Sequence, residues 1–123
     1  MSKKIILIVD DQDELRKLVR MTLECTDYEL HEAKNGQIAL ELAKQIQPDL
    51  VILDVMMPGD VDGYQVCDKL KQDGSEKTPY VMLLTAKGQM SDLEQGIRAG
   101  ADNYLIKPFS PLELIELVEN ALT

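Results

Sequence analysis

Five short apolar segments recur along the chain at broadly even spacing, with longer stretches of mixed polarity between them. They occupy residues 5–9, 28–33, 50–53, 80–84 and 103–106. Four of them are strongly apolar, which is typical of strands buried on both faces of a parallel sheet. The second, YELHEA, alternates between polar and apolar residues. We therefore predict five strands, the second of which lies at an edge of the sheet.

The stretches that follow these segments carry apolar residues at the spacing of amphipathic helices. Their apolar stripes begin at Leu15, Ile38, Tyr64, Leu93 and Leu112. Ser110, Pro111 and Glu113 form an N-terminal capping box, and Gly100 is a C-terminal stop signal. Strict alternation of strand and helix, without a linker or a repeat, predicts one doubly wound α/β domain over residues 1–123. Its parallel sheet would carry five helices on both faces.

Composition and charge exclude several classes of function. The formal net charge is −9 and the sequence has no basic run, which argues against binding to nucleic acid or to an anionic membrane, since both attract basic surfaces. No stretch reaches the roughly 18 apolar residues of a membrane-spanning helix, and the short apolar run near the N-terminus does not resemble a signal peptide. Cys25 and Cys67 form no CxxC pair, so we expect buried free thiols in a cytoplasmic protein.

Polar residues stand at the ends of four predicted strands. Strand one runs into Asp10 and Asp11, strand three into Asp54, strand four into Thr85 and strand five into Lys107. All strands of a parallel sheet end at the same edge, and ligands bind there beside the point where the strand order reverses. In the order 2-1-3-4-5, strands one and three flank this point. We therefore expect the three carboxylates to lie together, with the hydroxyl and the ammonium beside them.

Each of these residues also has an ordinary structural explanation. Asp11 could cap the first helix, Asp54 could begin a turn, and Thr85 and Lys107 could be unremarkable strand-end residues. Their convergence on one edge favours a site instead. Clustered carboxylates repel one another unless a cation or a proton intervenes, and hard oxygen ligands suit Mg²⁺. The hydroxyl and the ammonium add donors for phosphoryl oxygens. Because the sequence contains no glycine-rich phosphate loop, the phosphoryl donor would be a separate molecule.

Four sequence segments resemble, in this order, the receiver domain of two-component response regulators, the CheY-like family. They are ILIVDDQDELR, PDLVILDVMMPG, VMLLTA and GADNYLIKPFSPLEL, and the match covers essentially the whole chain. The resemblance implies a flavodoxin-like fold with strand order 2-1-3-4-5 and a phosphoacceptor function in signalling. It implies a domain that catalyses its own phosphorylation and slow self-dephosphorylation, rather than an enzyme that acts on other molecules.

The resemblance also assigns roles at the sheet edge. Asp54 would accept a phosphoryl group from the phosphohistidine of a histidine kinase or a histidine phosphotransfer protein. Asp10 and Asp11 would hold Mg²⁺ together with Asp54 and the backbone carbonyl of Met56. Lys107 would bind the acyl phosphate. These implied roles agree with the chemistry that the residues suggest by themselves.

Further roles implied by the resemblance concern signalling. Thr85 would turn its hydroxyl toward the phosphoryl group, and Tyr104 would move inward as the paired aromatic switch. The surface around strands four and five and helices four and five would then control a downstream partner, which the sequence does not identify. The kinase would dock near Leu15, Leu18 and Pro108, and the peptide bond before Pro108 would be cis.

Two features of the sequence modify this picture. Asp54 and Gly63 are nine positions apart, one more than in many members of the family, so we expect the loop between them to differ locally. Side chains at the positions of Met56 and Lys87 influence hydrolysis of the acyl phosphate in the family. Neither residue is an obvious general base here, so we expect slow to moderate self-dephosphorylation.

Two other interpretations of the sequence stay open. A small phosphohydrolase of the haloacid-dehalogenase type would use Asp54 as its nucleophile, but it would place an acid two residues later, where this chain has Met56. A degenerate receiver would be a constitutive protein-binding module, although every site residue is present. The chain ends soon after the fifth predicted helix, which fits either a stand-alone regulator or part of a longer one. That helix lacks the arginine pattern of receivers that dimerise through their fourth and fifth helices, so no such dimer is predicted.

Overall fold

Strands and helices alternate along the chain in the computed structural model, which describes residues 3–24, 26–55, 63–72, 78–86 and 100–122. The strands are β1 Ile5–Val9, β2 Glu29–Ala33, β3 Leu50–Asp54, β4 Tyr80–Ala86 and β5 Asn103–Lys107. The helices are α1 Asp13–Leu23, α2 Gly36–Ile46, α3 Gly63–Lys71 and α4 Pro111–Leu122. Helix α4 is therefore the fifth helix of the sequence prediction. The predicted fourth helix, with its stripe beginning at Leu93, lies outside the described residues.

The five strands form one parallel sheet in the order β2-β1-β3-β4-β5. This confirms the predicted α/β class and strand order. Every residue of β3 is buried, whereas in β2 only Ala33 is buried. The prediction that the second strand lies at an edge of the sheet is thus confirmed, because β2 is the first strand of the series.

Side chains of the central strands alternate between two apolar cores, as the pleat of a strand requires. In β3, Val51 and Leu53 join the core beneath α2 and α3, whereas Leu50 and Ile52 join the core beneath α1 and α4. Strands β1 and β4 alternate in the same way. The sheet is therefore covered by helices on both faces, and the parity of a position decides which face its side chain joins.

Side-chain caps are present at the starts of α2 and α4, whereas Gln12, the N-cap residue of α1, makes no side-chain capping hydrogen bond. Oγ of Ser110 accepts a hydrogen bond from the Glu113 N–H at 3.1 Å, which confirms Ser110 as the N-cap of α4. Oδ1 of Asn35 accepts one from the Ile38 N–H at 2.8 Å at the start of α2. Gly100 has a φ of 92°, in the left-handed region where glycine is favoured.

Asp102 and Lys71 join the end of α3 to the beginnings of β4 and β5. Oδ2 of Asp102 accepts hydrogen bonds from the Val81 N–H at 2.8 Å and from the Lys71 ammonium. Lys71 also donates to the backbone carbonyl of Pro79 at 2.8 Å. The Asp102 carboxylate thus accepts hydrogen bonds both from the backbone of β4 and from the last residue of α3. These contacts hold the end of α3 against the beginning of β4.

Burial departs from the sequence pattern in a few places. Leu18 is 47% and Leu112 is 65% exposed although both belong to predicted apolar stripes, because Val19 and Leu114 take the inward positions beside them. Cys67 is buried as predicted and forms no disulfide within the described chain, and burial raises the pKa of its thiol to about 11. Cys25 lies outside the described residues. No helix in the described part of the chain is long and apolar enough to cross a membrane.

Candidate functional site

Three carboxylates meet where β1 and β3 end side by side. Asp10 follows the last residue of β1, Asp11 comes next, and Asp54 is the last residue of β3. One carboxylate oxygen from each lies within 4.8 Å of the others. Asp10 and Asp54 are only 1% and 3% exposed, whereas Asp11 is exposed. The predicted acidic cluster is thus present at the predicted edge of the sheet.

Lys107 brings a positive charge to this cluster from the end of β5. Its Nζ lies 3.2 Å from Oδ1 of Asp54 and 3.9 Å from Oδ2 of Asp10. Strand β4 separates β3 from β5 in the sheet, so the long side chain crosses the end of β4 to reach the acids. The peptide bond between Lys107 and Pro108 is cis, as the family resemblance implies.

Asp10 is fixed by hydrogen bonds at three of its four polar atoms. Its N–H donates to the Ala33 carbonyl at 3.2 Å, and its carbonyl accepts from Nη1 of Arg16 at 2.6 Å. Its Oδ1 accepts from the Gln12 N–H at 2.8 Å. The fourth atom, Oδ2, is buried and has no hydrogen-bond partner among the described residues. A buried oxygen without a hydrogen-bond partner is expected to bind a water molecule or an ion.

The electrostatics of the cluster disfavour charge on Asp10. Burial raises the pKa of Asp10 to about 6, and the neighbouring charges of Asp54 and Asp11 act in the same direction. The Gln12 N–H and the Lys107 ammonium oppose this shift. Additional positive charge at the cluster would therefore stabilise the ionised carboxylate.

The donor set fits a small hard cation. Asp10, Asp11 and Asp54 offer only oxygen ligands, two of them buried and one open to solvent. Mg²⁺ binds through one or two carboxylates, retains waters and takes further oxygens from a phosphate. Oδ2 of Asp10, which accepts no hydrogen bond from the described residues, agrees with such a ligand. The backbone carbonyl of Met56, the fourth predicted ligand, lies outside the described residues.

Thr85 and Tyr104 lie on the neighbouring strands β4 and β5, on the face of the sheet that α2 and α3 cover. Leu83 pairs with Tyr104 in the register of β4 and β5, and the parity of β4 places Thr85 on the same face. Tyr104 is partly buried and packs against the core beneath α2 and α3, and burial raises its pKa. Thr85 is 1% exposed, and within the described chain its hydroxyl has no hydrogen-bond partner.

Gly63, at the start of α3, touches the backbone of the residues that precede the loop. A β carbon at this position would lie 2.4 Å from the carbonyl oxygen of Asp54 and 2.6 Å from Cα of Val55. The Gly63 N–H also donates to the Val55 carbonyl at 3.4 Å. Only glycine permits so close an approach. The helix therefore begins directly against the end of β3.

The remaining predicted residues occupy varied environments. Leu18 and Pro108 are exposed, and Leu15 is half-buried against the core beneath α1 and α4. Arg16 and Gln12 contact Asp10, but no role was predicted for either of them, although both lie in the segment ILIVDDQDELR. Each of these two contacts uses a backbone atom as one partner, and such a contact leaves no signature in side-chain spacing.

The sequence profile of the response regulator receiver domain matches residues 6–119. The chain belongs to this family. The transcriptional regulatory protein SrrA of Staphylococcus aureus is 46% identical over 117 residues, which are 95% of this chain and 47% of that protein. The chain therefore spans about half the length of the curated relatives that it matches.

Solved structures agree with this membership. The chemotaxis response regulator CheY4 of Vibrio cholerae superposes with a TM-score of 0.89 at 28% identity, over 98% of this chain and 99% of that one. The receiver domain of NtrX from Brucella abortus superposes with a TM-score of 0.87 at 32% identity, over 95% of this chain and 97% of that one. The chain is thus a receiver domain of the two-component type, with an acidic pocket that could bind a metal.

Proposed function

We propose that this receiver domain accepts a phosphoryl group on Asp54 in a reaction that requires Mg²⁺. The observation that carries the proposal is the 3.2 Å contact between Lys107 Nζ and Asp54 Oδ1 inside a cluster of three carboxylates. A buried carboxylate with a purely structural role would not require an ammonium and two further carboxylates beside it. A carboxylate that becomes an acyl phosphate needs positive charge beside its new oxygens.

The transfer can be written with its bonds balanced. An oxygen of the Asp54 carboxylate attacks phosphorus, the O–P bond forms, and the N–P bond of a phosphohistidine breaks with its electron pair returning to the imidazole nitrogen. Lys107 would stabilise charge on the phosphoryl oxygens. Asp10 and Asp11 would hold Mg²⁺ with Asp54 and the Met56 carbonyl, and the bound cation would supply further positive charge to those oxygens.

The Thr85 hydroxyl and Tyr104 would carry the signal away from Asp54. Thr85 belongs to the strand beside β3, and its unpartnered hydroxyl at the end of β4 can turn toward a phosphoryl oxygen. Tyr104 would then move inward on the same face. The surface around β4, β5 and the helices that flank them would present the change to a downstream partner or output domain.

The partner that supplies the phosphoryl group would be a histidine kinase or a histidine phosphotransfer protein. We propose that it docks on the exposed residues Leu18 and Pro108 and on the half-buried Leu15. Residues 1–123 would act as a single receiver domain in the cytoplasm, without direct contact to nucleic acid or membrane. The domain would catalyse its own phosphorylation and a slow self-dephosphorylation, and would not be an enzyme toward other substrates.

Phosphorylation by acetyl phosphate tests the proposal. We expect intact-protein mass spectrometry to show one added phosphoryl group with Mg²⁺ present and none with EDTA. Asp54→Asn should abolish the product, because the amide is not a nucleophile. Asp27→Asn is a matched control, since this side chain is 94% exposed, and should react like the wild type. An unchanged product in Asp54→Asn would contradict the proposal.

The same assay separates the two rival interpretations. A phosphohydrolase would release inorganic phosphate from acetyl phosphate over many turnovers without a lasting acyl phosphate. A constitutive binding module would not be labelled at all. The proposed receiver should be labelled once and lose its phosphoryl group slowly. A lifetime of only seconds without an added phosphatase would contradict slow self-dephosphorylation.

A further inference from the structure

We propose that Arg16 is a positioning residue that holds Asp10 in the orientation needed to bind the cation. The inference rests on the proposed Mg²⁺ site and concerns how that site is built. It starts from the contact between Nη1 of Arg16 and the backbone carbonyl of Asp10, at 2.6 Å. Because this contact is made to the backbone of Asp10, Arg16 would act on the ligand through its backbone and not by contact with the cation.

The guanidinium of Arg16 joins three parts of the fold. Besides the Asp10 carbonyl, its Nε donates to Oε1 of Glu32 at 3.2 Å, and its Nη2 donates to Oδ1 of Asp13. Glu32 belongs to β2, and Asp13 is the first residue of α1. A planar fork of donors can satisfy separated oxygens at fixed angles. Arg16 thus fixes the turn between β1 and α1, which carries both Asp10 and Asp11.

The orientation of the Asp10 carboxylate depends on this anchoring. With the N–H, the carbonyl and Oδ1 of Asp10 all engaged, the residue has little freedom to rotate, and Oδ2 is the atom left for the cluster. Partners behind metal ligands orient them, and losing such a partner typically weakens metal binding by roughly 10–100-fold. Without Arg16, Asp10 would have to be ordered at the moment of cation binding.

Arg20 provides a matched control on the next turn of α1. Its Nη1 donates to Oε2 of Glu32 at 2.7 Å, so it shares the β2 partner of Arg16. No contact joins it to Asp10 among the described residues. The Arg16 side chain is 14% exposed and that of Arg20 is 41% exposed. Both arginines can connect α1 to β2 through Glu32. Of the two, Arg16 is the one that contacts Asp10 and can position it.

The test measures Mg²⁺ binding by titration calorimetry for the wild type, Arg16→Met and Arg20→Met, without a phosphoryl donor. We expect Arg16→Met to weaken binding roughly tenfold and Arg20→Met to leave it within about twofold. In phosphorylation by acetyl phosphate, Arg16→Met should need correspondingly more Mg²⁺ for half-maximal rate. Its rate at saturating Mg²⁺ should approach that of the wild type, which a generally damaged fold would not allow.

Arg16→Lys separates geometry from charge and serves if Arg16→Met does not fold. A lysine ammonium keeps the charge but cannot reach the three oxygens in fork geometry, so we expect binding to stay several-fold weaker than wild type. Full restoration by lysine, or equal effects of Arg16→Met and Arg20→Met, would overturn the inference while leaving the proposed function intact. A wild type that binds no Mg²⁺ would overturn both.

Discussion

Lys107 Nζ lies 3.2 Å from Asp54 Oδ1, across the end of the strand that separates β3 from β5. The same ammonium is 3.9 Å from Oδ2 of Asp10. Without a bound cation, this lysine offsets part of the negative charge of the cluster. A divalent cation would compete with it for the same two carboxylates. In the metal-free protein, the contact between Lys107 and Asp54 therefore offsets negative charge. In the proposed reaction, the same ammonium would stabilise charge on the phosphoryl oxygens.

Replacing Lys107 should separate these two roles. We expect Lys107→Met to bind Mg²⁺ at least as tightly as the wild type, because a competing cation has been removed. It should accept phosphoryl groups from acetyl phosphate more slowly, because one stabilising charge on the phosphoryl oxygens is lost. Calorimetry and mass spectrometry would measure the two effects. The control is Lys3→Met, because the Lys3 side chain is 58% exposed. Weaker Mg²⁺ binding by Lys107→Met than by the wild type would show that Lys107 does not compete with the cation.

Asp10 makes the stability of the metal-free protein depend on pH. Its pKa rises from 3.8 to about 6 on folding. Between these values the folded protein holds a proton that the unfolded chain has lost, so the free energy of unfolding falls as pH rises through this window. We expect Asp10→Asn to be more stable than the wild type above about pH 6, by on the order of 3 kcal/mol.

Urea denaturation in EDTA across this pH range would measure the effect. The difference between Asp10→Asn and the wild type should shrink toward zero near the unfolded pKa of 3.8. Using the difference between the proteins cancels the titration of acids that do not interact with Asp10. A constant difference at every pH would mean that Asp10 does not titrate in this window.

Gly63 should tolerate no side chain. Alanine would place Cβ 2.4 Å from the carbonyl oxygen of Asp54, and backbone atoms cannot move aside cheaply. We expect Gly63→Ala to lower the free energy of unfolding by roughly 3 kcal/mol, at the upper end of overpacking effects. Gly100→Ala is the comparison, because its Cβ would meet the side chain of Lys71, at 3.1 Å, and no backbone atom as close, although the φ of Gly100 is 92°. Its cost should be about 1–2 kcal/mol, and a Gly63→Ala cost below that of Gly100→Ala would refute the expected clash.

Asp102 should matter more for folding than its partial exposure suggests. Asp102→Ala would leave the buried Val81 N–H and the Lys71 ammonium without their shared acceptor, and an unsatisfied buried donor costs about 1–3 kcal/mol. Asp68→Ala removes a carboxylate whose hydrogen bond, from the Gln72 side chain, is exposed, so it should change stability by about 0.5 kcal/mol or less. Chemical denaturation compares the two variants, and similar losses would show that the Asp102 contacts contribute little.

Much of the fold and site could be predicted from the sequence because strands of a parallel sheet share a direction. Once the apolar segments locate the strands, the residues that follow them must meet at one edge, which is how Asp10, Asp54 and Lys107 could be grouped from their positions along the chain alone. Arg16 could not be found in this way, because its partner is the backbone carbonyl of Asp10. The exposure of individual side chains in an apolar helical stripe could not be predicted either. Leu18 belongs to the stripe of α1 but is 47% exposed, because the spacing of apolar residues does not show which of them lie at the margin of the buried face.

The close contact between Gly63 and the end of β3 bears on how this domain can diverge from its relatives. Because α3 begins directly against Asp54 and Val55, the position of the helix is set by this contact and not by the number of residues that connect it to the strand. Insertions and deletions between two anchored points cost little. A residue can therefore be added between positions 55 and 63 without displacing Asp54, as long as Gly63 keeps its contact with the end of β3.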